Sequence, residues 1–310
     1  ALAAAAASAQ GIALVSSEKD HALTVLDLGT RSVSGTIPTC KRPRHMRIAP
    51  GGKELFVACG DSAEADVIDL ATRRSLRRFG LGDDPEIFDL SPDGRTLYVS
   101  NEEDAELGIV DVASGKRLGA IKVGEEPEGV LLAPDGKTAY VTSEVANLVH
   151  VVDLDARKVV ADIQVGKRPR RFALTPDASQ LWVSNELDAS VSIIDTRQRR
   201  VVDTLRFEVK GARREDITPV GLTINRDGTR AFVGLGRANH VAFVDVATRK
   251  VTHTVLVGKR AWSVALDRAE RTLVVVNGLS DDVTFVDVPS AKALVSVKVG
   301  RVPHTVVLVE

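Results

Sequence analysis

Apolar residues along this chain come in short runs of roughly four to seven, rich in valine, isoleucine and leucine and interrupted by proline, glycine, aspartate and asparagine. The stretch around Pro85 shows the pattern. Ile87 to Leu90, Thr96 to Ser100, Leu107 to Val112 and Arg117 to Val123 read as four strands, with turns at Ser91-Pro92-Asp93-Gly94 and Ala113-Ser114-Gly115-Lys116. Runs of this length suit β-branched strands between turns, and no helix-length amphipathic stretch recurs as a pair of stacked α/β units would require. Proline borders the first strand of each unit, where a missing ladder donor is tolerated, and Asp-Gly supplies a turn with positive φ.

The unit repeats. Pro43, Pro85, Pro127 and Pro169 are spaced by 42 residues; Pro219 follows an insertion, and Pro303 completes the series across a unit where Ala261 replaces proline. Asp27, Asp69, Asp111, Asp153, Asp195, Asp245 and Asp287 keep the same beat, as do Val15, Val57, Val99, Val141, Val183, Val233 and Val275. A repeat of this length built of four strands predicts a propeller blade. Four antiparallel strands cannot hide both faces alone, so consecutive sheets must stack around an axis. Residues 12–16, 23–28 and 32–37 supply only the last three strands of a blade, whereas 303–309 supply a lone inner strand. The expectation is therefore an all-β, seven-bladed β-propeller of four-stranded antiparallel sheets, closed by pairing the C-terminal inner strand with the three N-terminal strands. It would occupy residues 11–310 as one domain, preceded by residues 1–10 as the remnant of a signal peptide or a flexible tail.

Composition narrows the function classes. Among 310 residues, 41 basic side chains face 42 acidic ones, a balance that argues against broad attraction to nucleic acid or anionic membrane. The alanine-rich start, with Ala7-Ser8-Ala9 as a fitting cleavage site, suggests a periplasmic or otherwise secreted protein, and no later run is long enough to span a bilayer. Cys40 and Cys59 fall at the same end of one blade, which permits either one disulfide or two separate thiols.

The repeated aspartates end their strands and would accept turn amides; seven identical acids spread around a ring share no substrate pocket. With the four strands of each unit lettered A to D in chain order, the A–B and C–D turns lie on one rim and are repetitive. The D–A and B–C loops lie on the other and vary in charge, the pattern of a recognition face. Immediately beyond each proline position stand Arg44, Glu86, Glu128, Arg170, Val220, Trp262 and His304, near the mouth of the central channel. Their B–C counterparts include Glu18, Glu102, Glu144 and Glu186, with glycine at 60, 236 and 278. Arg44, Glu86, Glu128, Arg170, Arg171, Trp262 and His304 are the candidate ligand- or partner-binding residues. Arginine grips carboxylates with a rigid pair of donors, and Trp262 either stacks on a ligand or packs between blades; Trp182 reads as core. Glu18, His45 and His304 are the candidate ligands of a divalent metal. The insertion 207–218 is polar enough to stay accessible and to fold as a flap across the mouth. No nucleophile elbow, phosphate loop or HExxH motif is present.

Tyr98-Val99-Ser100-Asn101, Tyr140-Val141-Thr142-Ser143 and Trp182-Val183-Ser184-Asn185, combined with Val-Gly-x-x-Pro and Pro-Asp-Gly, resemble the YVTN family of β-propellers from about Gly11 to Glu310. Asp84-Pro85-Glu86, Glu126-Pro127-Glu128-Gly129, Arg168-Pro169-Arg170 and Asn239-His240-Val241 are similar to the branch associated with pyrroloquinoline-quinone-dependent alcohol catabolism, whose members are exported and accompany transport genes. The resemblance implies a periplasmic, non-enzymatic binding or accessory protein, with a small acidic metabolite or a periplasmic protein as partner and an indirect association with a quinoprotein dehydrogenase or ABC transporter. The repeated tryptophan-rich docking units of quinoprotein dehydrogenases are missing, so direct binding of the quinone is not expected, and no cofactor is expected beyond a possible divalent metal. The alternatives are a metal-assisted hydrolase or lyase at the channel mouth and a structural protein-interaction scaffold.

Overall fold

In the computed structural model, which describes residues 11–310, the strand runs fold into seven four-stranded antiparallel sheets. The expected signal remnant or tail at residues 1–10 lies outside the described residues. Blade 1 combines Pro303–Val309 with Ile12–Ser17, Ala22–Asp27 and Ser32–Pro38; the closing register sets Ile12 opposite Val309, Val15 opposite Val306 and Ser17 opposite Pro303. Blades 2 to 5 begin at Pro43, Pro85, Pro127 and Pro169, blade 6 with the short strand Leu222–Ile224, and blade 7 at Ala261. In each blade the strands run A to D from the channel outward. Among the described residues no helix is long and apolar enough to cross a membrane.

Seven apolar clusters hold the ring together, and each draws on two neighbouring blades. Leu14, Leu23 and Val25 of blade 1 pack on Leu55, Val57 and Ile68 of blade 2, and Val274, Val276 and Phe285 of blade 7 pack back on Ala13, Val15 and Leu26. A blade alone would leave these faces in water, so the pairing of the two chain ends completes a hydrophobic seam as well as a sheet. Trp182 is fully buried in the seam between blades 5 and 6, as a core residue. Outer strands are mostly exposed.

The repeated aspartates do what their position predicts. Asp27 Oδ1 accepts the Thr30 amide at 2.7 Å, Asp69 Oδ1 that of Thr72 at 2.6 Å and Asp245 Oδ1 that of Thr248 at 2.7 Å, each closing a C–D turn. The amides of Thr30 and Thr72 first, and at Asp245 the Thr248 hydroxyl first, with the other threonine donor adding in each case, hold the carboxyls of Asp27, Asp69 and Asp245 below their ordinary range. Cys40 and Cys59 form a disulfide with Cα atoms 5.9 Å apart.

Candidate functional site

The proline that opens strand A pairs directly with the end of strand B, as Pro85 does with Asn101, and the register then slips before Phe88. Blades 2, 4 and 5 carry the same irregularity. A bulge re-aims the side chains within it, and here it delivers the residue after each proline to the channel mouth. The residue just before strand A takes a left-handed conformation on six blades, with φ of 58° at Arg42, 39° at Asp84, 48° at Glu126, 54° at Arg168, 62° at Arg260 and 51° at Val302. Together the two positions build two tiers of side chains around the channel. Blade 6 lacks the left-handed residue. There Gly221 donates its amide to the Trp262 carbonyl at 2.8 Å, and a Cβ on Gly221 would sit 2.5 Å from that oxygen, so glycine fixes where blade 7 presents its tryptophan.

Charge pairs line the mouth. Arg44 Nη1 donates to Glu86 Oε1. Arg170, 5 % exposed, donates to Glu144 and lies 3.3 Å from Glu128 and 3.7 Å from Glu186. Arg171 donates to Glu128 and reaches across the ring to His304 Nε2 at 3.5 Å. Arg168 Nε donates to Glu144 Oε2 at 2.6 Å. Trp262 carries the Arg260 guanidinium 4.0 Å over its ring, with that of Arg170 at 5.2 Å and the His304 ring at 5.8 Å.

Environment then sets the charge states. Burial pushes Glu128 upward, but Arg170, Arg171 and Arg44 outweigh it and hold its carboxyl at about 2. Burial and the nearby Glu128 drive Glu86 well above the carboxylate range against the pull of Arg44. Burial lifts Glu144 to about 7 in spite of Arg170. Burial and the Arg44 and Arg171 charges push His304 far down, and burial with Arg171 does the same to His45, so both imidazoles are neutral.

The candidate binding residues Arg44, Glu86, Glu128, Arg170, Arg171, Trp262 and His304 therefore converge, all but Arg171 less than one-tenth exposed. Glu18, His45 and His304 do not assemble as a ligand set. His45 is spent edge-on against Phe88 at 5.0 Å, His304 bonds Thr305 and Arg171, and Glu18 pairs with Arg42 at 3.5 Å. Among the described residues the trio whose donor atoms lie within 4.8 Å of one another is Asp84, Glu86 and Glu102. Asp84 Oδ1 accepts from Arg42 at 3.1 Å, whereas Glu86 Oε2 is buried with no partner. A carboxylate oxygen without a donor inside a cluster of carboxylates is the environment that a hard divalent cation satisfies. The repeat puts Glu102 on this rim without joining it to Asp84; the signal for the trio is acid at three loop positions of one blade.

The insertion 207–218 also differs from expectation. Phe207, Val209 and Ile217 are buried in the seam of blades 5 and 6, and Arg214 ties the segment to Asp188 at 3.4 Å. Its apolar residues anchor it outside the mouth, so it is no flap over the channel.

No family model matches the chain, and no curated protein matches it. Solved structures are similar in fold. Hydrazine synthase of Kuenenia stuttgartiensis superposes with a TM-score of 0.77 at 20% identity over 88% of this chain and 91% of that one. A functionally unknown protein from Desulfotomaculum acetoxidans gives 0.83 at 15%, over 96% and 99%. The dihydro-heme d1 dehydrogenase NirN in complex with DHE gives 0.72 at 16%, over 96% and 74%. At these identities the likeness establishes the seven-bladed propeller and nothing finer. The carboxylate trio, with Glu86 buried and Asp84 and Glu102 part-buried, corrects the expectation of a purely non-enzymatic binding or accessory protein: the mouth holds a group able to coordinate a metal, and propellers of this fold occur in proteins titled as enzymes.

Proposed function

We propose that the protein is a metal-assisted hydrolase or lyase working at the mouth of the propeller channel, with Asp84, Glu86 and Glu102 holding a hard divalent cation. Glu86 carries this reading: the side chain is fully buried, Arg44 takes one oxygen, and the other receives no nitrogen or hydroxyl donor and lies against the Glu102 carboxyl. An all-oxygen donor set suits Mg²⁺, Mn²⁺ or Ca²⁺, and such a cation supplies Lewis acidity toward a carbonyl and a more acidic bound water. Arg44 fixes the orientation of Glu86 and also borders the neighbouring cavity, linking the acidic trio to a space for substrate. His304 on the cavity wall is kept neutral by burial and the neighbouring arginines, which suits it to hydrogen-bonding a substrate rather than to taking its proton. Two of the similar structures bear enzyme titles, which supports catalysis on this fold without indicating a reaction.

The YVTN-like phrases of strand B support reading the chain as similar to YVTN-type propellers, and the Cys40–Cys59 bridge supports a location outside the reducing cytosol. Chelator-stripped protein dialysed against Mn²⁺ should retain about one ion per chain, lost in both Glu86→Gln and Glu102→Gln. The loaded protein should hydrolyse small esters or eliminate water from small hydroxy acids. Undiminished metal retention in both variants, or a loaded protein inert toward both substrate sets, would remove the reading.

A further inference from the structure

A cavity of about 180 Å³ opens beside the acidic trio, walled by Glu18, Arg44, Arg170, Arg260, Trp262 and His304. It exists because blade 7 carries Gly278 where blades 1, 3, 4 and 5 carry Glu18, Glu102, Glu144 and Glu186. A Cβ on Gly278 would meet only ordinary contacts, the nearest being the Pro303 carbonyl at 3.5 Å, so packing does not demand glycine there. Three of the wall side chains hold buried donors without acceptors: Arg44 Nε, Arg170 Nε and Trp262 Nε1. Arg44, Arg170 and Trp262 are 8 %, 5 % and 7 % exposed, so water does not readily satisfy them.

The charge on the wall is also uneven. Arg44 and Arg170 are matched by glutamates, and Glu18 by Arg42. Arg260 has no carboxylate within 4.0 Å among the described residues; its guanidinium rests on the Trp262 ring instead. An Arg260 guanidinium without a carboxylate partner, on a wall already rich in arginine, calls for a bound anion. The Val302-Pro303 edge gives an apolar lining for its carbon body, and the volume is close to that of an apolar cavity able to take benzene, about 150 Å³.

We infer that this cavity binds a small organic monocarboxylate, its carboxylate held by the Arg260 guanidinium and its carbon skeleton against the Val302-Pro303 edge beside Trp262. The inference names the substrate class of the reaction proposed above and rests on that reading for its catalytic meaning, though not for the binding itself. A tetrahedral dianion is disfavoured because it offers no carbon body to the Val302-Pro303 edge and costs more to desolvate beside Glu18 on the same wall.

The test is calorimetric titration of the intact protein with butyrate, benzoate and sulfate. Either monocarboxylate should bind more tightly than sulfate, and Arg260→Gln should weaken it by about tenfold or more. Gly278→Glu, which places a carboxylate of the chain itself in the cavity, should abolish binding and guards against misfolding of the first variant. Glu102→Gln should lose Mn²⁺ while keeping butyrate or benzoate affinity within about twofold. Equal affinity for sulfate, binding unaltered by both Arg260→Gln and Gly278→Glu, or no heat with either monocarboxylate would overturn the inference. Carboxylate binding without any Mn²⁺ binding would leave it standing and defeat the metal-assisted function instead.

Discussion

Blades 3 and 4 spell their mouth loops alike and end in opposite electrostatic states. Blade 3 presents Asp84, Glu86 and Glu102; blade 4 presents Glu126, Glu128 and Glu144 at the same repeat positions. In blade 4 the neighbouring blade contributes Arg168, Arg170 and Arg171, which saturate Glu128 and Glu144 and hold Glu128 ionised. Blade 3 receives Arg42 and Arg44, leaving a buried oxygen of Glu86 without a donor and its pKa well raised. The lesson is that a carboxylate cluster becomes a candidate cation site by what its neighbours fail to neutralise.

The sharpest way to break this contrast is to remove the arginine that serves blade 4. Arg170→Met strands three buried or nearly buried glutamates and should cost about 3–5 kcal/mol, read by urea unfolding. Adding Mn²⁺ at about a hundred times its dissociation constant should stabilise the protein by roughly 2.7 kcal/mol, and Glu102→Gln should erase the increment in a melting titration. Glu86→Gln without metal should change stability by less than about 1 kcal/mol, since the amide oxygen still accepts from Arg44 and the unmatched acid is gone.

Acid titration sharpens the same point. Glu128 has a folded pKa of about 2 against an ordinary 4.5, so its contribution is complete above pH 4.5 and fades as pH falls toward 2. Glu128→Gln should flatten that part of the stability profile. Glu144, raised to about 7, acts with the opposite sign and withdraws stability as pH rises from 4.5 to 7. The smallest effect belongs to the opposite rim, where Asp69→Ala removes one of seven equivalent exposed turn acceptors; a slight fall in melting temperature with no change in Mn²⁺ or benzoate binding is expected.

The repeat period, the strand content, the missing first strand at one end and the surplus strand at the other were all written in the residues, because period-two apolar runs and turn chemistry act locally and identically in every blade. The same local logic made the aspartates at the C–D turns legible as structural and Trp182 as core. It reached the mouth only as a collection of positions. Which glutamates share an arginine, that His45 turns to Phe88 rather than to Glu18, that Phe207, Val209 and Ile217 pull the insertion into a seam, and that Arg260 alone on its wall lacks an acid were decided by the tertiary structure. Those outcomes depend on contacts between blades many residues apart and across the ring, where burial and the nearest charge set each group's state. A repeat fixes the frame on which such contacts occur but carries no local signal of which partner each side chain will meet.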